Sequence, residues 1–320
     1  MPGECQADPG TRAGAPEDGV DWEGRRRGDF SPYTNRPISV SSATVTCQIL
    51  LPPNSGVMPM TFRLGLAALF PALVAVAPAG PVRAEDFRVE NKVFSGDDND
   101  PSVESTTLFY NGVVYDYLKK PAEIIVLDKE HGRFVLLDTD RRMKTELTTK
   151  EVEAFAERLR ERAARQAARF DNPFVAFQAD PKFEKEFDES ARELTFRSPW
   201  MTYRVVTADA QSTEIVRQYR QFADWQARLN SVINHRATPP FARLVVNAEL
   251  EQRGEIPREV HLTLTPPGGF RRKQITAHSE HQLIRTVVES DRTRVTQTGE
   301  FMAIFQPVSF EEYQKMGAEE

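Results

Sequence analysis

The sequence predicts an α+β fold: a curved antiparallel β-sheet, meander-like or half-barrel-like, with two or three long amphipathic helices packed on it. Three observations carry that prediction. Six short segments of β character follow one another between Asp86 and Leu147, separated by turn sequences. Residues 149–169 and 213–235 then place apolar side chains at helical spacing. Several strand segments are also apolar on successive residues, which puts buried side chains on both faces of a sheet.

The first strand, Asp86 to Phe94, alternates Phe87, Val89 and Asn91 against Arg88, Glu90 and Lys92. The segment 95–101 (SGDDNDP) reads as a turn; it lacks the spaced ligands and terminal Glu of a calcium loop. Val103 to Tyr110 and Val113 to Leu118 flank Asn111-Gly112. A type I′ turn needs positive φ at both central residues, and Asn-Gly supplies it at little cost. Ala122 to Leu127 and Arg133 to Leu137 make a second hairpin across Gly132, and Met143 to Leu147 follows.

The change to helix is sharp. Thr148-Thr-Lys-Glu151 is a capping box, in which hydroxyl and carboxylate each satisfy a free backbone N–H. Val152, Phe155, Leu159, Ala163, Ala167 and Phe170 recur on one face, with Glu161 and Arg165 paired on the other. Asp171-Asn-Pro173 breaks this helix. Short strands are expected at Phe183 to Phe187, Arg192 to Phe196 and Met201 to Val206. The second helix, opened by Gln211-Ser-Thr213, carries Ile215, Tyr219, Phe222, Trp225, Leu229 and Val232 on one face, and Thr238-Pro-Pro240 ends it. A third helix is expected from Phe241 to Arg253, with Gly254 as its C-cap. Glu259 to Thr265 alternates as a strand, and Arg271 to Ser279 with Gln282 to Glu289 reads as a closing hairpin. A helix from Asp291, capped by Ser290, and a short one after the Ser309-Phe-Glu-Glu312 capping box complete the chain.

The N-terminal part points to export. Residues 58–84 hold Arg63, an apolar run from Leu64 to Ala79, and Val82-Arg-Ala84 before Glu85. Charge, apolar core and small residues at −3 and −1 are the order of a secretory signal peptide. The run is shorter than the roughly 20 residues that span a bilayer, and Pro71 and Pro78 interrupt it. Residues 1–57 are rich in Pro, Gly, Ser, Arg and Asp, so they are expected to be a disordered leader. With Met58 and Met60 just upstream of the apolar run, this leader is read as an over-extended start; cellular peptides from residues 1–57 would overturn that. The expected organisation is one mature domain, 85–320, exported to the periplasm or the extracellular space.

Composition narrows the chemistry. Residues 1–84 hold seven basic and seven acidic residues, so the remainder keeps the net charge of −6. That balance disfavours nucleic acid as a partner. Both cysteines, Cys5 and Cys47, precede the expected cleavage site. The mature chain therefore has no thiol nucleophile, disulfide or thiolate metal ligand, and no cofactor is expected. Phosphate-binding glycine loops, the nucleophile elbow and HExxH are all missing. The one histidine cluster is His278-Ser-Glu-His281. In a continuous strand a three-residue offset points the rings to opposite faces; in a tight turn they converge as metal ligands, with Glu280 or His261 as a third. Asp138, Asp140 and Glu146 are the strand-end carboxylates from which a hydrolase would be built. Arg141-Arg142 with Lys144 forms a small basic patch.

A sheet apolar on both faces, with helices against one, leaves an apolar groove suited to a lipid or acyl chain. The aromatic residues placed for such a groove are Tyr115, Tyr117, Phe222 and Trp225. Tyr115-Asp-Tyr-Leu-Lys-Lys-Pro-Ala-Glu-Ile-Ile-Val126, followed by a glycine turn and another strand, resembles the half-barrel of LolA-type periplasmic lipoprotein carriers. The likeness spans roughly residues 87–147. The chain departs from those carriers in having no helix before the first strand and in its long helices at 149–169 and 213–235. Pro239-Pro-Phe-Ala-Arg-Leu244 and Gly254-Glu-Ile-Pro-Arg-Glu-Val260 resemble exported planctomycete-type proteins of unknown function. The resemblance implies a non-catalytic envelope protein that binds an apolar ligand or an envelope protein; an envelope hydrolase and a structural or assembly protein are the alternatives.

Overall fold

The computed structural model describes residues 84–96, 98–234, 237–265, 267 and 274–316. The leader and almost all of the signal-like segment lie outside them. Six strands open the described chain: β1 (Phe87–Ser95), β2 (Val103–Tyr110), β3 (Val113–Leu118), β4 (Glu123–Asp128), β5 (Arg133–Asp138) and β6 (Met143–Thr148). They form an antiparallel meander. Asn111 and Gly112 take φ of 48° and 79°, as the type I′ turn requires.

Helix α1 (Thr149–Phe170) starts on the predicted capping box. Thr148 Oγ1 accepts from the Glu151 N–H at 3.1 Å, and Glu151 Oε2 accepts from the Thr148 N–H at 2.7 Å. Asp171, left-handed with φ 44°, closes it. The break at Asn172-Pro173 also begins a short helix the sequence reading lacked, α2 (Pro173–Ala179). Asn172 Oδ1 caps it, and proline sits in the first turn, where its missing N–H costs nothing.

A second wing follows: β7 (Glu184–Asp188), β8 (Glu193–Arg197) and β9 (Met201–Asp209), then α3 (Thr213–Ile233) and α4 (Phe241–Arg253). Gly254, with φ 70°, caps α4 as expected. The chain ends with β10 (Glu255–Leu264), β11 (Ile275–Ile284), α5 (Glu289–Ile304), β12 (Gln306–Pro307) and α6 (Phe310–Met316). All twelve strands join one open sheet in the order β12-β6-β5-β4-β3-β2-β1-β11-β10-β9-β8-β7. Among the described residues, only the β12–β6 pairing is parallel.

Two expectations are corrected. In place of the expected hairpin, Ile275–Ile284 form one continuous strand, β11, paired with β1 on one side and β10 on the other. Neighbours on both edges satisfy its backbone, and no turn residue interrupts 279–282, so the strand runs straight through. Helix α5 begins at Glu289, not Asp291. The Asp291 carboxylate accepts from the Val288 N–H at 3.0 Å, which sets the start two residues earlier and leaves Ser290 inside the helix.

The strand registers sort side chains onto two faces. Phe87, Val89, Phe109, Val114, Ile125, Leu127, Phe134 and Leu136 point to the face covered by α1, α3 and α6. Leu194, Phe196, Tyr203, Val205 and Val260 continue that face beneath α2 and α4. The alternate residues Leu108, Tyr117, Ile124, Val126, Val135 and Leu137 point the other way, against Val295, Phe301, Met302 and Phe305 of and after α5. Both faces of the meander are thus buried, which accounts for its unbroken apolar runs.

Candidate functional site

Among the apolar side chains of the α3 face runs a row of buried polar ones. Asn91 on β1, Ser105 and Thr107 on β2, Asp116 on β3, and Ser279 and His281 on β11 are each under 9% exposed. Register brings them together: Asn91 faces Ser105 on one side and His281 on the other, and Thr107 faces Asp116. The Asn91 Nδ2 group donates to Thr107 Oγ1 at 2.9 Å and to Ser105 Oγ at 3.2 Å. The Thr107 hydroxyl donates to Asp116 Oδ1 at 2.8 Å.

His281 sits between two partners that set its tautomer. Its Nδ1–H donates to Asn91 Oδ1 at 2.9 Å, so Nε2 is the acceptor for the Ser279 hydroxyl, also at 2.9 Å. Burial, with a smaller push from the charge of Arg243, lowers the imidazole to about 3. Burial raises the Asp116 carboxyl, opposed by hydrogen bonds from Thr107 and Ser105. His281 therefore takes part in the row as a neutral ring, donor at Nδ1 and acceptor at Nε2.

Serine, neutral histidine and an orienting asparagine have the connectivity of an activated nucleophile. The energetics argue against that use. A base whose conjugate acid has a pKa of about 3 draws weakly on a serine proton near neutral pH. Ser279 is also closed beneath the helices.

His278 lies on the other face. It stacks on Phe94 at 4.3 Å and on His261 at 5.6 Å between ring centroids. Because β11 is continuous, His278 and His281 diverge, and the sheet separates them. Among the described residues, no group of three His, Cys, Asp or Glu side chains is placed to hold a metal ion.

The four aromatic residues marked by the sequence also divide between the faces. Tyr115 and Tyr117 stack at 6.2 Å on the α5 face. Phe222 meets Phe109 edge-on at 5.6 Å, and Trp225 meets Phe134 at 6.3 Å, both on the α3 face. Phe222 is core, whereas Trp225 is half-buried with the Arg228 guanidinium over its ring at 5.1 Å. They form no common pocket.

Tyr117 does line a cavity of about 170 Å³ between β3, β4 and α5, with Glu123, Thr139, Arg294 and Thr298. The Arg294 guanidinium lies 4.0 Å over the Tyr117 ring. The Tyr117 hydroxyl meets Thr298 Oγ1 at 3.3 Å. Sites for drug-sized ligands run about 300–1,000 Å³, so this cavity is too small to hold an acyl chain. At its rim, Glu123 Oε1 accepts from the Tyr313 hydroxyl at 2.5 Å, and burial raises its carboxyl to about 7.

Two of the strand-end carboxylates are held in ion pairs. Asp138 pairs with Arg141 at 2.6 Å, and Glu146 with Arg133 at 3.0 Å. Sequence reasoning did place Asn91 in the apolar parity of β1, which is a local signal for the polar row. Its partners come from β2, β3 and β11, and no local pattern names them. No protein-family model matches the chain, and no curated protein matches it.

Proposed function

We propose that this is an exported, non-catalytic envelope protein that binds an apolar ligand, a lipid or acyl chain, between the α3–α4 helices and a curved, half-barrel-like sheet. The observation that carries this reading is the amphiphilic surface beneath those helices. Phe87, Phe109 and Phe134 flank the row from Asp116 to His281 on one sheet face. A core built for stability alone gains nothing from such a row, because each buried polar group must recover its lost hydration. An amphiphile has use for both parts.

The cover supports the same reading. Helices α3 and α4 are fastened to each other by polar bonds: Asn247 Nδ2 donates to Asp224 Oδ1 at 3.1 Å, and Arg220 bridges Asp224 and Glu251. They are thus held together as one cover over the sheet. The resemblance of the meander to LolA-type carriers agrees with this arrangement and adds export.

The test is native mass spectrometry of the protein purified, without detergent, from an exporting host. The expected spectrum shows chain beginning at Glu85 with additional mass from co-purified lipid. A clean apo mass, also after incubation with lipid vesicles, would overturn the binding reading. A chain that retains residues 58–84 would overturn cleavage and export.

A further inference from the structure

Helix α1 is longer than its packing requires. Its buried residues, Val152 and Ala156, both lie near its start, where Phe155 also packs against the core of the α3 face. The helix nevertheless continues to Phe170. Of residues 157–170, Leu159, Arg160, Ala163 and Ala167 are half-buried and all the others are exposed. Phe170 itself is 65% exposed. Alanine and arginine keep this part helical by propensity, but the core does not need its length.

The charge of this exposed part is one-sided. Residues 158–170 hold five arginines and one glutamate, a net charge of +4 in a chain of −6. Four of the arginines, Arg158, Arg162, Arg165 and Arg169, recur at i, i+4, i+7 and i+11. At 3.6 residues per turn they fall within about 60° of one another, along about 16 Å of helix. All four are exposed. Among the described residues only Arg165 of these four has a carboxylate partner, Glu161 at 3.3 Å. Glu151 is held in the capping box, Glu153 precedes the stripe, and Glu157 pairs with Arg160 at 3.4 Å. At the tip the Arg169 guanidinium lies 5.0 Å over the Phe170 ring, so an exposed aromatic side chain ends the basic stripe.

Guanidinium groups on one rigid, solvent-facing line are matched to phosphate, and an apolar ring beside them suits the boundary between headgroups and acyl chains. We infer that this stripe of α1 docks the protein on an anionic phospholipid bilayer, with the arginines against lipid phosphates and Phe170 inserted at the interface. A soluble polyanion such as heparin would engage the guanidinium groups but has no use for the ring, so the bilayer is the assigned partner. The inference goes beyond the lipid-binding reading and does not rest on it, because it uses exposed residues of α1 and nothing beneath the α3–α4 cover.

The test is co-sedimentation of the full chain with two kinds of vesicle, phosphatidylcholine alone and equal parts phosphatidylcholine and phosphatidylglycerol. Any other segment that touches bilayers is common to all variants. The wild type should bind the anionic vesicles at least ~10-fold tighter than the neutral ones, and the preference should shrink as salt is raised. One arginine near such a surface contributes about fivefold. Arg162→Gln combined with Arg169→Gln should therefore weaken binding to the anionic vesicles about 25-fold and leave the neutral ones unaffected. Arg292→Gln removes the same charge from an exposed position on α5 and should leave binding within about twofold. Phe170→Ser should weaken binding to the anionic vesicles about tenfold without changing binding to heparin. Equal binding of the wild type to both vesicles, or binding to neither, overturns the inference. So does an arginine pair no more sensitive than Arg292. Binding that falls with the arginines, ignores Phe170→Ser and favours heparin also overturns it, and makes the partner a soluble polyanion.

Discussion

Glu123→Gln isolates one buried carboxyl and gives stability a measurable pH signature. Glu123 opens β4, half-buried, and accepts the Tyr313 hydroxyl that ties α6 to the sheet. Burial is the largest influence on it, and raises the carboxyl from 4.5 to about 7 against the pull of the Tyr313 bond. Between those values the folded chain holds a proton that the unfolded chain has released. Its contribution is therefore complete below pH 4.5 and lost as pH rises through about 7. At about 1.4 kcal/mol per pH unit the interval sets a ceiling of about 3 kcal/mol. Solvent screening at a half-buried site reduces that to roughly 2 kcal/mol. Glutamine keeps the shape and the acceptor for Tyr313 but does not titrate. The variant should match the wild type near pH 4.5 and exceed it by roughly 2 kcal/mol at pH 8.5. Urea unfolding of both proteins at the two pH values measures this. Asp224 and His281 also titrate, but they are common to both chains and cancel in the difference. A difference that stays constant between pH 4.5 and 8.5 refutes the reasoning.

Two further perturbations test the α3 face. Phe109→Ala removes a ring stacked 4.1 Å from Phe87 and edge-on to Phe222; urea unfolding should show a loss of about 3–5 kcal/mol, and a loss below about 1 kcal/mol would mean that the cover does not pack there. His281 is a base depressed to about 3, so its contribution is complete above its ordinary 6.5 and lost as pH falls. Relative to His281→Gln, the wild type should lose about 1.4 kcal/mol per pH unit between pH 6 and 4. Parallel pH profiles of the two proteins would show instead that the ring is protonated in the folded state.

How far the fold was legible in the sequence depended on whether its signal was local. Asn111-Gly112, the Thr148–Glu151 capping box and Gly254 each act within four residues. The first meander, α1 and the end of α4 therefore lie where the sequence places them. Strand β11 was misread because its continuity depends on β1 and β10, far away in the chain, which satisfy both its edges. The placement of α5 was hidden for a related reason. Val295, Thr298, Met302 and Phe305 mark the helix itself, but the strands it packs on lie more than 150 residues earlier, so the sequence does not say which face it covers. The successive apolar residues of β3 to β5 did foretell that a second cover existed, though not which helix supplied it.

The candidate site divides along the same line. Asn91 shares the parity of Phe87 and Val89, and Asp116 that of Val114, so each is a polar residue where its strand expects an apolar one. That discord is visible in a window of five residues. Such a residue in isolation would cost stability, so the discord predicts that partners exist. Their identity is a matter of register: Asn91 and His281 are 190 residues apart, and Thr107 and Asp116 meet across a hairpin. Discordant polar residues in strands thus point to sites that folding satisfies.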